Sequence, residues 1–161
     1  MKHFLPTISI LLLSTFAYSQ TTKPFTHFKY TSKIDFKAII LPATLSFCSG
    51  ASWGLHEATM HHWGQFEARF PNANPQWWNP AISWKNKYEN GDPTQPKRKI
   101  PVQFTDAKHM LASSTQLFGF AAGGSIFIGR KTNWKNYALR FLASGVGYVA
   151  GNYLTFNLLY K

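Results

Sequence analysis

Two of the chain's carboxylates stand at helical spacing from a histidine. Glu57 lies four residues before His61, with His56 and His62 beside them, and Asp106 lies three residues before His109. Residues three or four apart share one face of a helix, so each pair would set a carboxylate beside an imidazole. If two helices bring Glu57, His61, Asp106 and His109 together, with His62 at the margin, the set has the donor chemistry of a divalent metal site. Such sites form in helix bundles from ligands on facing helices, and zinc takes three or four of them. Water on the metal would then serve as a hydroxide nucleophile near neutral pH. The same residues can act without metal, as a proton-transfer site or as polar contacts between helices. Asp106 fits a helix N-cap, favourable at the positive end of the helix dipole. No P-loop, HExxH or CxxC pattern is present. The single Cys48 lies inside an apolar run and reads as a small buried hydrophobe.

The elements that must position these groups are marked by missing charge. Residues 38–55, 110–129 and 141–160 are uncharged runs of 18, 20 and 20 residues. A hydrocarbon core of roughly 30 Å needs about 20 residues of helix, so each run is long enough to span a bilayer. Each also carries a pair of glycines four apart: Gly50 and Gly54, Gly119 and Gly123, Gly147 and Gly151. In water a helical glycine costs about 1 kcal/mol relative to alanine, whereas in lipid a small-xxx-small stripe lets two helix backbones meet. Lys33, Lys37, Lys108, Arg130, Lys131, Arg140 and Lys161 flank the runs, as expected of basic side chains at a head-group layer. The expected helices are about 38–69, 105–129 and 134–160. A segment at 71–104, rich in aromatics, Asn and Pro, joins the first two.

Composition narrows the class. The 161 residues include 17 Lys+Arg against 6 Asp+Glu, a formal charge of +11, yet only 14% are charged and 17% are aromatic. Disordered chains lack such aromatics, and one cysteine excludes a disulfide scaffold. Met1-Lys2-His3, an apolar stretch at 4–16 and Ala17-Tyr18-Ser19 have the layout of a secretory signal peptide over 1–19. A basic extramembrane segment follows at 20–37, then one helical membrane domain at 38–161. An exported chain does not meet nucleic acid, so the expected partners of its positive charge are anionic lipid head groups. Lysines and arginines divide almost evenly between the two sides of the runs, so charge alone does not orient the chain.

The connecting segment holds Trp77, Trp78, Trp84 and Tyr88 close together. Such an aromatic surface suits the membrane–water interface first; the alternatives are stacking on a glycan or lying as a lid over the polar cluster.

Several strings resemble those of an uncharacterised family of small bacterial integral membrane proteins. They are Gly54-x-x-Glu57, Phe66-Glu67-x-Arg69, the stretch Asn74-Pro75-Gln76-Trp77-Trp78-Asn79-Pro80, Ile82-Ser83-Trp84-x-Asn86-Lys87-Tyr88, and Thr105-Asp106-x-x-His109. A fainter similarity links Asp106-x-x-His109, Trp134 to Tyr137 and Gly50 to Glu57 to a predicted periplasmic lipoprotein family of unknown function with a D-K-x-x-H helix. There the order of the helices differs, Arg140 stands where that family has an acid, and the lipobox cysteine is missing. The resemblance implies a helical envelope protein and carries no activity. The sequence therefore leads to an all-α protein of three main helices. Its role is a non-catalytic component of the cell envelope. The alternatives are a membrane enzyme or ion site at Glu57, His61, Asp106 and His109, and a glycan-binding module using Trp77, Trp78 and Trp84.

Overall fold

The computed structural model describes residues 33–128 and 132–160, so the expected signal segment and most of the basic stretch after it lie outside the described residues. Every named element is helical. A 3₁₀ turn at Phe36–Ile39 leads into α1 (Ile40–His61). It is followed by α2 (Trp63–Arg69), α3 (Pro75–Trp78), α4 (Pro80–Ser83), α5 (Ala107–Phe127) and α6 (Trp134–Tyr160). Pro42 falls in the first turn of α1, where its missing N–H breaks no helical hydrogen bond.

The helices expected at 105–129 and 134–160 correspond to α5 and α6. The one expected at 38–69 is divided. At His62 the backbone leaves helical geometry, with φ −134° and ψ 41°. Its ring meets Phe156 and Tyr160 of α6 edge-on, at 5.5 and 4.6 Å between centroids. The chain turns there to lay α2 over the end of the long helices.

The 71–104 segment is also more ordered than a loop. Asn74 and Asn79 each precede a proline, and each side-chain oxygen accepts the N–H two residues on, from Gln76 and Ala81, at 3.0 Å. Asn as N-cap followed by Pro at the first helical position is a strong start signal, and here it operates twice in succession to give α3 and α4. Helices this short leave no hydrophobic period to detect.

The three long helices form a row with α1 in the middle. α6 runs parallel to α1: Gly50 meets Tyr148, Gly54 meets Asn152, and His62 meets Tyr160. On the other side α5 is antiparallel, with the Ser49 hydroxyl donating to the Thr115 carbonyl at 2.8 Å. α5 and α6 barely touch.

The glycines explain the closer of the two seams. A Cβ on Gly50, Gly147 or Gly151 would overlap the carbonyl oxygen of Tyr148, Ala43 or Phe47. One on Gly54 would lie 2.7 Å from the Asn152 oxygen. α1 and α6 are thus in backbone-to-backbone contact, where a Cα–H can point at a facing carbonyl. Gly119 and Gly123 do not share this role. A Cβ on Gly119 would make an ordinary 3.5 Å contact with Ser49, and one on Gly123 would meet nothing. Equal spacing in the sequence therefore gives a packing stripe on two helices and an open stripe on the third.

Much of what lies inside is small or polar: Ser46, Ser49, Ala58, Thr59, Ala107, Ala122, Ser125 and Asn136 are all buried, beside the larger Phe66, Leu111, Ile126 and Leu159. Many large apolar side chains point outward, among them Phe120 at 80% exposure, Phe127 at 75%, and Phe141, Val146 and Val149 at 65–69%. One helix, Phe36–His61, is long and apolar enough to cross a membrane, and only 28% of its most apolar stretch is buried. Three such helices were expected. α5 and α6 have the length, but Ser, Thr, Asn, Gly and basic residues along them lower their hydropathy.

Candidate functional site

The polar groups gather where α1 ends, α5 begins and α6 ends. They form two clusters, Glu57 with two histidines on α1 and Asp106 with one on α5. On α1, Glu57 lies between two imidazoles, with His56 Nδ1 at 3.5 Å and His61 Nε2 at 3.7 Å from its oxygens. His56 is also stacked on Trp53 at 5.0 Å. Lys108, in the first turn of α5 and expected only as a flanking cation, is a further charged neighbour of His56. His62 belongs to neither cluster, because its ring is held under the end of α6.

On α5 the geometry is tighter. Asp106 is 1% exposed and caps the helix, its Oδ1 accepting the His109 N–H at 2.9 Å. The same carboxylate faces His109 Nδ1 at 2.9 and 2.8 Å. An ionised carboxylate only accepts, so Nδ1 is the ring nitrogen that donates to it, and in a neutral imidazole the lone pair is then on Nε2. The imidazole is one-third exposed. The Thr105 hydroxyl, 3.1 Å from Oδ2, makes its shorter bond, 2.7 Å, to the Val102 carbonyl. A buried carboxylate is costly unless well paired, and here the helix N-terminus, a backbone N–H and an imidazole N–H all face it.

The expected four-ligand metal set is not assembled. Among the described residues no three of His, Cys, Asp and Glu stand close enough to hold a metal ion. The reason is local commitment. Glu57 is engaged by histidines of its own helix, and both oxygens of Asp106 are occupied in capping α5 and orienting His109. A string of the G-x-S-x-G form, Gly50 to Gly54, also proves structural. Ser52 sits in mid-helix, without the strand-to-helix turn that exposes a nucleophilic serine, and both glycines are used against α6.

The aromatic surface divides as well. Trp78 joins the apolar cluster of Ala58, Phe66 and Leu159, its ring 5.4 Å from that of Phe66. Trp77 lies half-buried on the same short helix. Trp84 and Tyr88 meet edge-on, 6.2 Å apart, on the next stretch. Trp78 is therefore engaged with the apolar cluster, while Trp84 pairs with Tyr88 on a separate stretch. An apolar cleft of about 600 Å³ opens beside the cluster, between Leu55, Phe66, Phe70 and Leu159, with Arg69 at its rim.

The opposite end of the row holds two polar residues that no motif announced. Buried Asn136 accepts the Asp35 N–H at 3.0 Å and donates to the Lys33 carbonyl at 2.8 Å, clasping the start of α1 to the start of α6. Buried Arg140 donates through Nη1 to the Ile126 carbonyl at 3.0 Å, at the last turn of α5, where a cation suits the helix dipole.

A scan of protein-family models, a search of curated proteins and a search of solved structures each found no match to this chain.

Proposed function

We propose that this chain is a non-catalytic helical component of the bacterial cell envelope, exported by its N-terminal segment and embedded in a membrane through its three long helices. The observation that carries the reading is the inverted distribution of side chains. Phe120, Phe127, Phe141, Leu142, Val146 and Leu158 face outward, while serines, threonines, glycines and an asparagine fill the contacts between helices. In water each large apolar side chain left outside forgoes about 1.5–3 kcal/mol of burial, and an apolar surface so extensive marks a partner or a lipid phase. In lipid the driving force is close backbone packing, which the glycine seam supplies. Alkaline carbonate extraction of cell envelopes tests the proposal. The protein is expected in the membrane pellet, and its release into the soluble fraction would overturn the reading.

A second reading is favoured by one observation, the Asp106–His109 pair. A buried carboxylate holding Nδ1–H fixes the tautomer and leaves Nε2 as a positioned proton acceptor. In this reading His109 is the reactive group and Asp106 the residue that orients it. Diethyl pyrocarbonate labelling followed by peptide mass spectrometry should modify His109 faster than the more exposed His61, and Asp106→Asn should remove the difference. Labelling in simple order of exposure would retire it.

A further inference from the structure

The chain between α4 and α5 builds a basic, aromatic platform from the two arms of one local reversal, residues 84–88 and 97–99. Tyr88 and Lys97 form an antiparallel bridge, and the Arg98 N–H donates to the Lys87 carbonyl at 2.8 Å. The chain reverses between them at Asn90 and Gly91, both with positive φ (55° and 70°), conformations that Asn and Gly tolerate best. The reversal sets Lys85 and Lys87 beside Lys97, Arg98 and Lys99. The Lys85 and Lys87 ammonium groups stand 5.9 and 5.7 Å from the Trp84 ring centre, and Lys87 is 5.3 Å from that of Tyr88. Among the described residues no carboxylate forms an ion pair with any of the five cations. Asp92, the nearest acid past the turn with Glu89, spends one oxygen on the Thr94 N–H and hydroxyl, at 2.9 and 2.8 Å. The base of the platform is fixed: Ser83 is 1% exposed, and Asn86 donates to the Thr105 carbonyl at 3.0 Å, directly before the Asp106 cap.

We infer that this platform, Trp84, Lys85, Lys87, Tyr88, Lys97, Arg98 and Lys99, docks on the anionic head groups of the lipid leaflet at which α1 ends and α5 begins. The inference rests on the membrane reading above and specifies the lipid chemistry. Three arguments carry it. The platform's five cations outnumber the two carboxylates of the same hairpin, Glu89 and Asp92, and form no ion pair with them, so the excess positive charge seeks an extended anionic surface. Trp84, 39% exposed, and Tyr88 have the amphipathic rings that settle at head-group depth. The platform is anchored to Thr105, the residue before the Asp106 cap, and so sits at the end of the bundle where α5 begins.

The test uses the full chain, delipidated in neutral detergent and offered phosphatidylglycerol or phosphatidylcholine in mixed micelles, with retained lipid counted by native mass spectrometry. Retention of phosphatidylglycerol is expected to exceed that of phosphatidylcholine by roughly tenfold, to fall with rising salt, and to approach parity in K87Q/K97Q. A matched double variant at the far end, K37Q/K135Q, is expected to keep the selectivity. Parity in the unmodified protein, or equal loss in the two double variants, would overturn the proposal, as would displacement of the lipid by inorganic phosphate alone. Circular dichroism checks that both variants remain helical. Carbonate extraction separates the two ideas: a protein that stays in the pellet yet shows no head-group selectivity loses the platform and keeps the membrane reading.

Discussion

The two faces of α1 are built on different principles although both are lined by small residues. Against α6, glycines bring backbone onto backbone, so at Gly50, Gly54, Gly147 and Gly151 no side chain stands between the helices to adjust. Against α5, Ser49 and Gly119 leave side-chain clearance, and one hydroxyl-to-carbonyl bond supplies the specificity. A seam of the first kind tolerates no added atom. One of the second kind yields by a rotamer change.

The largest expected effect follows from that contrast. Gly151→Leu should force α1 and α6 apart along their length, since the atom in its way is the Phe47 carbonyl, at a cost above ~3 kcal/mol. Size-exclusion chromatography in detergent should show loss of the monodisperse species, while Gly123→Leu on α5 leaves it intact. Equal behaviour of the two would erase the distinction between the seams. Asn136→Leu comes next. It strips the Asp35 N–H and the Lys33 carbonyl of their partner at the mouth of the α1–α6 seam, for about 2–3 kcal/mol, read as a fall in the midpoint of thermal unfolding. Asp106→Ala, on the α5 side, should cost about 1–2 kcal/mol as a lost N-cap, and Asp106→Asn should recover most of it, because the cap needs only an acceptor oxygen. Ser49→Ala removes the one hydrogen bond given across the α1–α5 seam and should cost about 0.6 kcal/mol. Smallest is Gly123→Ala, where the space is open and the helical penalty of glycine is relieved. A slight rise in melting temperature, worth up to about 1 kcal/mol, is expected.

The features legible in the sequence were those whose cause is local. Asp106 as an N-cap followed from its place before the second uncharged run, and the ends of α5 and α6 followed from where charge resumes, although both helices begin ahead of their uncharged runs and take in Lys108, or Lys135 and Arg140. Contacts decided over distance were not legible. The glycine spacing announces a stripe without naming the helix that will use it, and only partner geometry separates Gly151 from Gly123. His62 breaks the first helix because of rings on α6 almost a hundred residues later in the chain. Asn136 and Arg140 carry no motif at all, since their partners are backbone atoms of other segments. Trp77, Trp78 and Trp84 looked like one surface because adjacency in sequence hides the second Asn-Pro cap. That cap turns the chain between Trp78 and Trp84, sending one to the core and the other to the platform.

The parallel pairing of α1 with α6 also sets an order on assembly. Ser46 and Ser144 share a hydroxyl-to-hydroxyl hydrogen bond across 98 positions of sequence. A ribosome delivers α1 first and α6 last. The firmest seam in the molecule is therefore the last that can close, and slow, non-local closure of this kind is where folding is most open to error. Until then the carbonyls of Ala43 and Phe47 and the glycines at 50 and 54 wait uncovered. A nascent chain stalled before residue 147 would hold a finished α1–α5 hairpin whose other face offers a docking strip for any small-residue helix nearby, including the α6 of a second copy.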